Sequence, residues 1–595
     1  GVFGAPSAGV AHAQETDDAL ELARKHVPRY LVAPQSQECS VDGEAFAPMS
    51  VEAVLDNDDV LLRQVGRNDP IVTRAPTAAD LADRGDGFYL DYPGVSVSPG
   101  CTYEQDYARY TRDLPYTVYA RVVTQDDRPG LLALQYWTFW YFNDWNNTHE
   151  SDWEFTQLLF EAATASEALG EDPVSAGYAQ HEGGERTDWD ADKLERVGAR
   201  PIVYPSTGSH ASYFTEDSYL GRSASEGFGC DITLDARRAI DPEVVLLPES
   251  VDDAAPELVW LTFEGRWGER QSGPFNGPTG PVDKDRWDEP ISWHDELRAD
   301  SVTLPGGSET NATILDTFCS VVEFGSNQLR LVLVNPFRVV VLLGLVGLGI
   351  GIAVWRTDWS ATPIFPLARR RRAGQMIRAA ATAYFSTKGA LLAFSAIYLP
   401  AALVVAIVGA VASFGAAQTV SAALTGVAYG AIVSLVTGFL ARGRHGVEPV
   451  RAAFATTIRR TPQLVGTIAL AVGIVLALAL TVIGLPFAIR QAVRYQFAAA
   501  VVTREELAGM AALRRSSELV KGRWWSTAAV VALFFGIGLF LSTLLQLLLL
   551  VVFAGLPLWA YVAAAFLANG LFVPTVATAP VLLYGDALAT EAESE

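Results

Sequence analysis

Six consecutive residues, His149-Glu150-Ser151-Asp152-Trp153-Glu154, carry the most concentrated chemistry in this 595-residue chain. They follow an aromatic run, Tyr136 to Trp145, and precede an apolar one, Phe155 to Phe160. Alternation along a strand puts Asp152 and Glu154 on one face and Trp153 on the other, with His149 in the loop just before. Two carboxylates and an imidazole at the start of a buried strand are costly unless they hold a cation or hydrogen-bond donors. His181 and His210, two more of the seven histidines, each close a strand-like run. Asp152 and Glu154 are hard oxygen ligands suited to Ca²⁺, Mg²⁺ or Mn²⁺. His149, His181 and His210 shift the preference toward Mn²⁺ or Zn²⁺, and Asp144 is a candidate extra ligand. A cation with an open position could activate water. A His–carboxylate pair could do acid–base work without metal. A hydrogen-bonded network that pins strand ends is the third reading. Ser209 precedes His210 but lacks a G-x-S-x-G setting, so it is not read as a nucleophile.

The elements that must position these groups are short strands. Tyr116–Val123, Leu131–Tyr141, Trp153–Phe160, Val174–Gln180, Pro201–Tyr204, Glu243–Leu247 and Leu258–Phe263 are apolar or aromatic runs separated by Gly, Pro, Asp and Asn. A helix is predicted over 17–29, a short one capped by Ser50, and a capped turn at Thr77–Leu81. Many short strands and few helices predict a mainly β domain of sandwich or jelly-roll type. Most of the nine Trp before residue 300 are expected in its core.

Several stretches resemble the vacuolar protein sorting-associated protein 62 family. They are A-R-K-H-V-P-R-Y-L with E-A-F-A-P-M-S-V-E-A-V-L (Ala23 to Leu55), and L-Q-Y-W-T-F-W-Y-F-N-D-W followed by H-E-S-D-W-E. Y-A-Q-H to His181, P-I-V-Y-P-S-T-G-S-H-A-S-Y-F (Pro201–Phe214), and Gly277–Pro281 with Trp287 and Trp293 continue it. The likeness covers roughly residues 20–295, and Ser151 stands where that family usually has Gly. It implies a fold and a site, since the family has no settled activity. The D-W-E core also resembles the G-H-R-H-D-W-E heptad of necrosis-inducing proteins, which are secreted β-sandwiches with a divalent cation.

Charge divides the chain. Residues 1–335 carry 58 acidic and 24 basic residues, a balance of −34. Residues 336–595 carry 9 and 20, or +11, and together they give the chain's −23. An acidic first part disfavours nucleic acid, which needs cations opposite its phosphates. Only 5 of the 44 basic residues are Lys. An acidic, Lys-poor surface suits a halophile, where salt screens repulsion, and a GC-rich genome leaves the same Lys bias. Cys39, Cys101, Cys230 and Cys319 all lie in the acidic part. Four cysteines on one side predict two disulfides in an oxidising compartment. Of the three connectivities, pairing of neighbours is the expectation. Residues 1–13 end in Ala11-His12-Ala13, like the tail of a secretory signal peptide. Asn146 and Asn311 begin N-x-T sequons and are glycosylation candidates in an exported chain.

The second part is a membrane domain by composition. Apolar runs at Val339–Trp355, Leu391–Phe414, Val420–Leu440, Leu464–Pro486, Ala528–Phe553 and Trp559–Tyr584 are each long enough to cross about 30 Å. Arg369–Arg372 is expected on the cytoplasmic side, with the N-terminal domain outside. Six spans would leave the seven basic residues of Arg490 to Arg523 outside, so Phe487–Val502 is predicted as a seventh, the alternative being that 487–523 lies at the membrane surface. Val501–Trp525 resembles the membrane domain attached to glycerophosphoryl diester phosphodiesterases, a likeness over roughly 380–585 without the catalytic domain.

The organisation expected is a signal-peptide remnant (1–13), an extracytoplasmic β-rich domain (14–327), an all-α multi-span domain (336–587) and an acidic cytoplasmic tail (588–595). The function expected is a multi-pass cell-membrane protein that binds at the cell surface or maintains the envelope, through a polar, cation-bound site. Membrane lipids and an envelope glycan or protein are the expected partners. A metal-dependent envelope hydrolase, or a lipid or solute transporter gated by the external domain, are the alternatives.

Overall fold

Two neighbouring segments, Leu132–Asn143 and His149–Phe160, are apolar or aromatic almost throughout, and each folds as a 12-residue strand buried on both faces. Such strands need a covering layer on either side. In this computed structural model of the protein, residues 8–594 are described, apart from 41, 182, 224–226, 272–274, 305–317, 327, 329–335, 412–413, 443–446, 480–483 and 553–557. The chain forms two compact units, Gly1–Arg338 and Val339–Glu595.

The first unit is mostly strands in sheets. In chain order the strands are β1 (Arg29–Val32), β2 (Leu61–Gln64), β3 (Ile71–Arg74), β4 (Phe88–Asp91), β5 (Thr117–Thr124), β6 (Leu132–Asn143), β7 (His149–Phe160) and β8 (Ser175–Gln180). There follow β9 (Gly183–Asp188), β10 (Arg196–Val197), β11 (Arg200–Pro205), β12 (Ser212–Tyr213), β13 (Ser218–Ser223), β14 (Gly227–Ile232), β15 (Arg238–Ile240) and β16 (Glu243–Leu246). A six-stranded sheet runs β16-β5-β6-β7-β8-β9, antiparallel except where β16 lies parallel to β5. A five-stranded sheet runs β10-β11-β1-β15, with β12 on β11, and β1 is parallel to β11. One core cluster draws Tyr30, Val32, Val203 and Ile240 from the smaller sheet and Trp137, Phe139, Trp140, Phe155 and Tyr178 from the larger. Of the nine Trp before residue 300, most of them expected in the core, eight are buried and Trp293 packs at the edge. Trp153 stacks on Trp260 at 5.7 Å and meets Trp267 edge-on at 5.4 Å.

Local signals placed the small helices well. Ser50 caps a 3-10 turn over Val51–Ala53, and Thr77 with Asp80 forms a capping box on Ala78–Leu81. Two expectations shift. The first helix, α1, covers Ala8–Lys25 rather than 17–29, so the A-x-A stretch is helical. The run Leu258–Phe263 is not a strand but the end of a 3-10 helix, Pro256–Thr262. Pro256 presets a helical φ at its first position. Disulfides join Cys39 to Cys101 and Cys230 to Cys319, with Cα–Cα distances of 5.4 and 5.7 Å, the pairing of neighbours.

The second unit is all helical. Its helices are α7 (Pro336–Trp355), α8 (Ala373–Ser395), α9 (Tyr398–Val411), α10 (Phe414–Ala441), α11 (Val447–Ala479), α12 (Leu485–Arg494), α13 (Ala498–Arg504), α14 (Met510–Val520), α15 (Trp524–Val552) and α16 (Leu558–Ser594), numbered after six short helices and turns of the first unit (α1, Ala78–Leu81, Thr102–Tyr110, Ala165–Ala168, Asp285–Asp288 and Pro290–Glu296). Among the described residues five helical stretches are long and apolar enough to cross a membrane: Ala373–Val408, Ala423–Ala441, Val447–Ala479, Trp524–Gln546 and Ala563–Glu593. A shorter apolar stretch, Val340–Gly349, lies in α7. Glycines allow close approach: a Cβ at Gly538 would come within 2.4 Å of Val576, and one at Gly570 within 3.0 Å of Tyr398. Phe487–Val502, predicted as a span, is not one helix. It divides into α12 and α13, broken at Tyr495–Phe497, and each is far shorter than the about 20 residues a crossing needs.

Candidate functional site

β7 pairs with β6 so that Glu154 faces Thr138 and Asp152 faces Trp140. Alternation holds for this pair: both carboxylates line a cavity of about 600 Å³, while Trp153 packs in the aromatic core. It fails one step earlier. Ser151 has φ of +53°, the left-handed region where a Cβ is strained. The strand therefore reverses its faces there, and His149 joins Asp152 on the cavity wall while Glu150 turns into the core. His149 is the first residue of the strand, not part of the preceding loop.

The two sides of the strand treat their acids differently. Glu150 is fully buried and accepts from the Tyr92 N–H (3.0 Å), the Glu269 N–H (2.7 Å) and the Tyr103 hydroxyl (2.8 Å). Glu154 is 7% exposed, and among the described residues it has no hydrogen-bond or ion-pair partner; its Oε2 is wholly buried. Burial pushes its carboxyl well above the ordinary range, and the Asp152 charge adds to this. Arg286, also on the cavity wall and buried, pulls the other way from beyond ion-pair distance.

The three histidines take three roles. His149 Nδ1 lies 2.8 Å from the Ser151 carbonyl, which assigns the proton to Nδ1 and the lone pair to Nε2. His181 also lines the cavity, and its Nε2 lies 2.8 Å from Asp231 Oδ2. Asp231, at 0% exposure, accepts further from Ser209 (2.7 Å) and Tyr213 (2.6 Å). Burial works against its charge, but His181 and these donors hold it below the ordinary carboxyl range. Gly221 permits this approach, since a Cβ there would lie 2.4 Å from Asp231 Oδ2. His210 is not on the wall. It lies behind Asp152, stacked on Trp140 at 4.1 Å, with Nδ1 3.0 Å from Asp152 and Nε2 3.7 Å from Glu44. Burial would lower its pKa, but Glu44 and Asp152 outweigh that and raise it to about 9. A protonated imidazole between two acids is not a metal ligand; His210 instead holds Asp152 in place. His181 and His210, like Ser151, have positive φ, +54° and +55°. Three strained non-glycine residues around one cavity mark it as a functional candidate.

Asp144 is exposed and lies off the cavity wall. The side-chain amide of Asn146 lies against β14, 2.1 Å from where a Cβ on Gly229 would sit. Asn311 falls outside the described residues. Among the described residues, one group of three ligating side chains brings its ligand atoms within 4.8 Å: Cys39, Cys101 and Glu104. The two cysteines there are bonded to each other, so it is no metal centre. Four of the five proposed ligands, His149, Asp152, Glu154 and His181, line one cavity without converging that tightly, and His210 lies behind it. The donor chemistry nonetheless fits a hard cation, because Glu154 offers a buried oxygen with no hydrogen-bond partner among the described residues. Asp152, Glu154 and the His149 Nε2 are the groups that would hold it, and a bound cation would supply charge neutralisation and Lewis acidity.

Sequence reasoning missed Glu44, Glu150, Asp231 and Arg286. Asp231 adjoins Cys230, whose disulfide to Cys319 anchors β14, and that adjacency was the available signal.

No family model matches the chain, and no curated protein matches it. Among solved structures it aligns with NLPPya in complex with glucosamine, at 14% identity over 41% of this chain and 78% of that one, with a TM-score of 0.21. It also aligns with a structure described as a toxin fold for microbial attack and plant defense, at 13% identity over 32% and 82%, with a TM-score of 0.18. Likenesses this slight carry no argument about fold or function.

Proposed function

We propose that the first unit is an exported binding domain, a sandwich-like pair of sheets whose cavity takes a divalent cation and a polar envelope ligand. The helical unit anchors it as a multi-pass cell-membrane protein with that domain outside. One observation carries the reading: Glu154 is buried beside Asp152, and among the described residues none donates to it or pairs with it at ion-pair distance. Leaving such a group unsatisfied is costly, and a cation resolves the cost by neutralising both carboxylates. The rest of the wall suits a ligand rich in hydroxyl or charged groups. Asn143, Asn147 and Asn276 offer amides, Arg266 and Lys284 offer cations, and Trp293 offers an aromatic surface. An envelope glycan or a lipid headgroup has that chemistry. The core cluster shared by the two sheets, and the sequence likeness to the vacuolar protein sorting-associated protein 62 family, support the sandwich reading.

The second reading, a metal-dependent hydrolase, is favoured by a separate feature. Asp231 fixes His181 on the same wall, the arrangement that keeps an imidazole oriented as a base or ligand. Elemental analysis of the purified full chain, with tryptophan-monitored melting in chelator and in added Ca²⁺, Mg²⁺, Mn²⁺ or Zn²⁺, tests the cation. A melting temperature indifferent to all of them, with no bound metal, would sink it. Turnover of an envelope-substrate panel that disappears in Glu154→Gln would favour the hydrolase over the binding domain.

A further inference from the structure

The path of the chain between α10 and α15 departs from a simple series of crossings. Contacts fix three points on it. Arg460 pairs with Glu506, and Thr467 Oγ1 accepts from the Gly509 N–H at 2.8 Å, so the middle of α11 lies beside the turn that precedes α14. Trp524, the first residue of α15, donates from Nε1 to the Arg490 carbonyl of α12 at 3.3 Å. Ser516 of α14 donates to the Arg494 carbonyl (2.7 Å) and accepts from the Phe497 N–H (3.1 Å).

Those points belong to the polar end of the unit. Arg371 donates its N–H to Asp586 at 2.8 Å, and Arg523 pairs with the same carboxylate at 2.6 Å. Arg515 bridges Glu505 and Glu591, each at 2.7 Å. The end that holds Arg369–Arg372 is therefore also the end of α16 and the start of α15. With α7, the joined α8–α9, α10, α15 and α16 as crossings, both sets of contacts fall on one side only if the chain between Ala441 and Trp524 returns to where it began.

Length decides how it returns. From Arg460 to Ala479 there are 479 − 460 = 19 residues of α11, about 28 Å at 1.5 Å per residue, but the return from Ala479 to Arg490 has only 490 − 479 = 11 residues, of which 485–490 are helical, a reach of about 28 Å at most. A full crossing needs about 30 Å. By Arg490 the chain is already back beside Trp524. The side chains that point outward on the return arm are mixed. Leu485, Phe487 and Ile489 are exposed and apolar, Arg490, Arg514 and Lys521 are exposed and basic, and Trp525 is 81% exposed. From 485 to 525 the chain carries seven basic and three acidic residues. Apolar and indole groups among basic ones are the signature of a headgroup layer with negative charge.

We infer that the second half of α11 and α12 dip into the bilayer and return to the face they entered, so that residues 485–525 dock on the anionic headgroups of one leaflet, the one Arg369–Arg372 face. This rests on reading the helical unit as membrane-embedded and is independent of the cavity in the first unit.

Because every native cysteine is in a disulfide, an introduced cysteine is a single free thiol. The full chain is placed in vesicles containing anionic phospholipid and treated from each side with a membrane-impermeant maleimide. Arg514→Cys and Ala368→Cys should label from the same side, and Leu485→Cys from that side or from neither. Labelling of Leu485→Cys from the opposite side, or of Arg514→Cys and Ala368→Cys from different sides, overturns the inference. A nitroxide on Lys521→Cys should be broadened several-fold by nickel-chelating lipid headgroups in that leaflet, and no broadening overturns the docking. Extraction of the chain by alkaline carbonate would instead remove the membrane reading itself.

Discussion

Glu150 and Glu154 lie four residues apart on β7, and the two faces of that strand treat them in opposite ways. On the core face Glu150 is surrounded by Tyr92, Tyr103 and the Glu269 backbone, and each gives it a hydrogen bond. On the cavity face Glu154 receives none from the described residues. Both carboxyls are pushed upward by burial. A buried acid that is fully bonded is part of the fold, since removing it strands its donors. A buried acid with no donor, in a wall shared with Asp152 and the His149 lone pair, is one that a ligand completes.

The largest expected effect is on the core side. Glu150→Ala should cost roughly 3–5 kcal/mol, through three orphaned donors and a cavity. Denaturant unfolding followed by tryptophan fluorescence measures it, and a loss under about 1 kcal/mol would break the contrast. On the cavity side, a divalent cation at about 100 times its Kd should add about 2.7 kcal/mol. That gain should vanish in Glu154→Gln, whose stability in chelator should match the parent. If Glu154→Gln unfolds the domain without any added metal, Glu154 is structural after all.

Acidity sharpens the contrast next. Without cation, Glu154 and His210 bind protons more tightly folded than unfolded. Their contribution is full below the unfolded values and is lost as pH rises, from the usual carboxyl range through about 9 for His210. The melting temperature in chelator should therefore fall with rising pH over that window, and saturating cation should flatten the Glu154 part of the slope. Asp231 and Glu44 act oppositely, because their carboxyls are held low and their contributions are lost on acidification. A melting temperature that rises from pH 5 to 9 in chelator would contradict the cavity-face assignment. The smallest effect belongs to the residue that separates the faces. Ser151→Gly relieves a left-handed φ and should stabilise by about 0.5–1 kcal/mol with the cation response unchanged. Destabilisation would mean that the serine side chain itself holds the reversal.

Sequence by itself determined the division of this chain. The change from 58 acidic and 24 basic residues to 9 and 20, with long apolar runs confined to the second part, reports solvent, and that information is local. It also determined most central strands, the aromatic core and two caps, because period and capping chemistry act within a few residues. It placed Asp152 and Glu154 on one face for the same reason. Tertiary structure alone decided what surrounds them. Glu44 comes to His210 from 166 positions away, and Asp231 to His181 from 50. Those meetings depend on β1 inserting between β11 and β15 and on β14 pairing with β13 beside the cavity. Tertiary packing also over-determined the left-handed Ser151, which no local preference for serine would choose. In the helical unit, hydropathy marked Leu464–Pro486 as a span because it counts apolar residues, and the basic residues of Arg490 to Arg523 suggested Phe487–Val502 as another. The contacts of Thr467 with Gly509 and of Arg490 with Trp524 are tertiary and no count of apolar residues shows them.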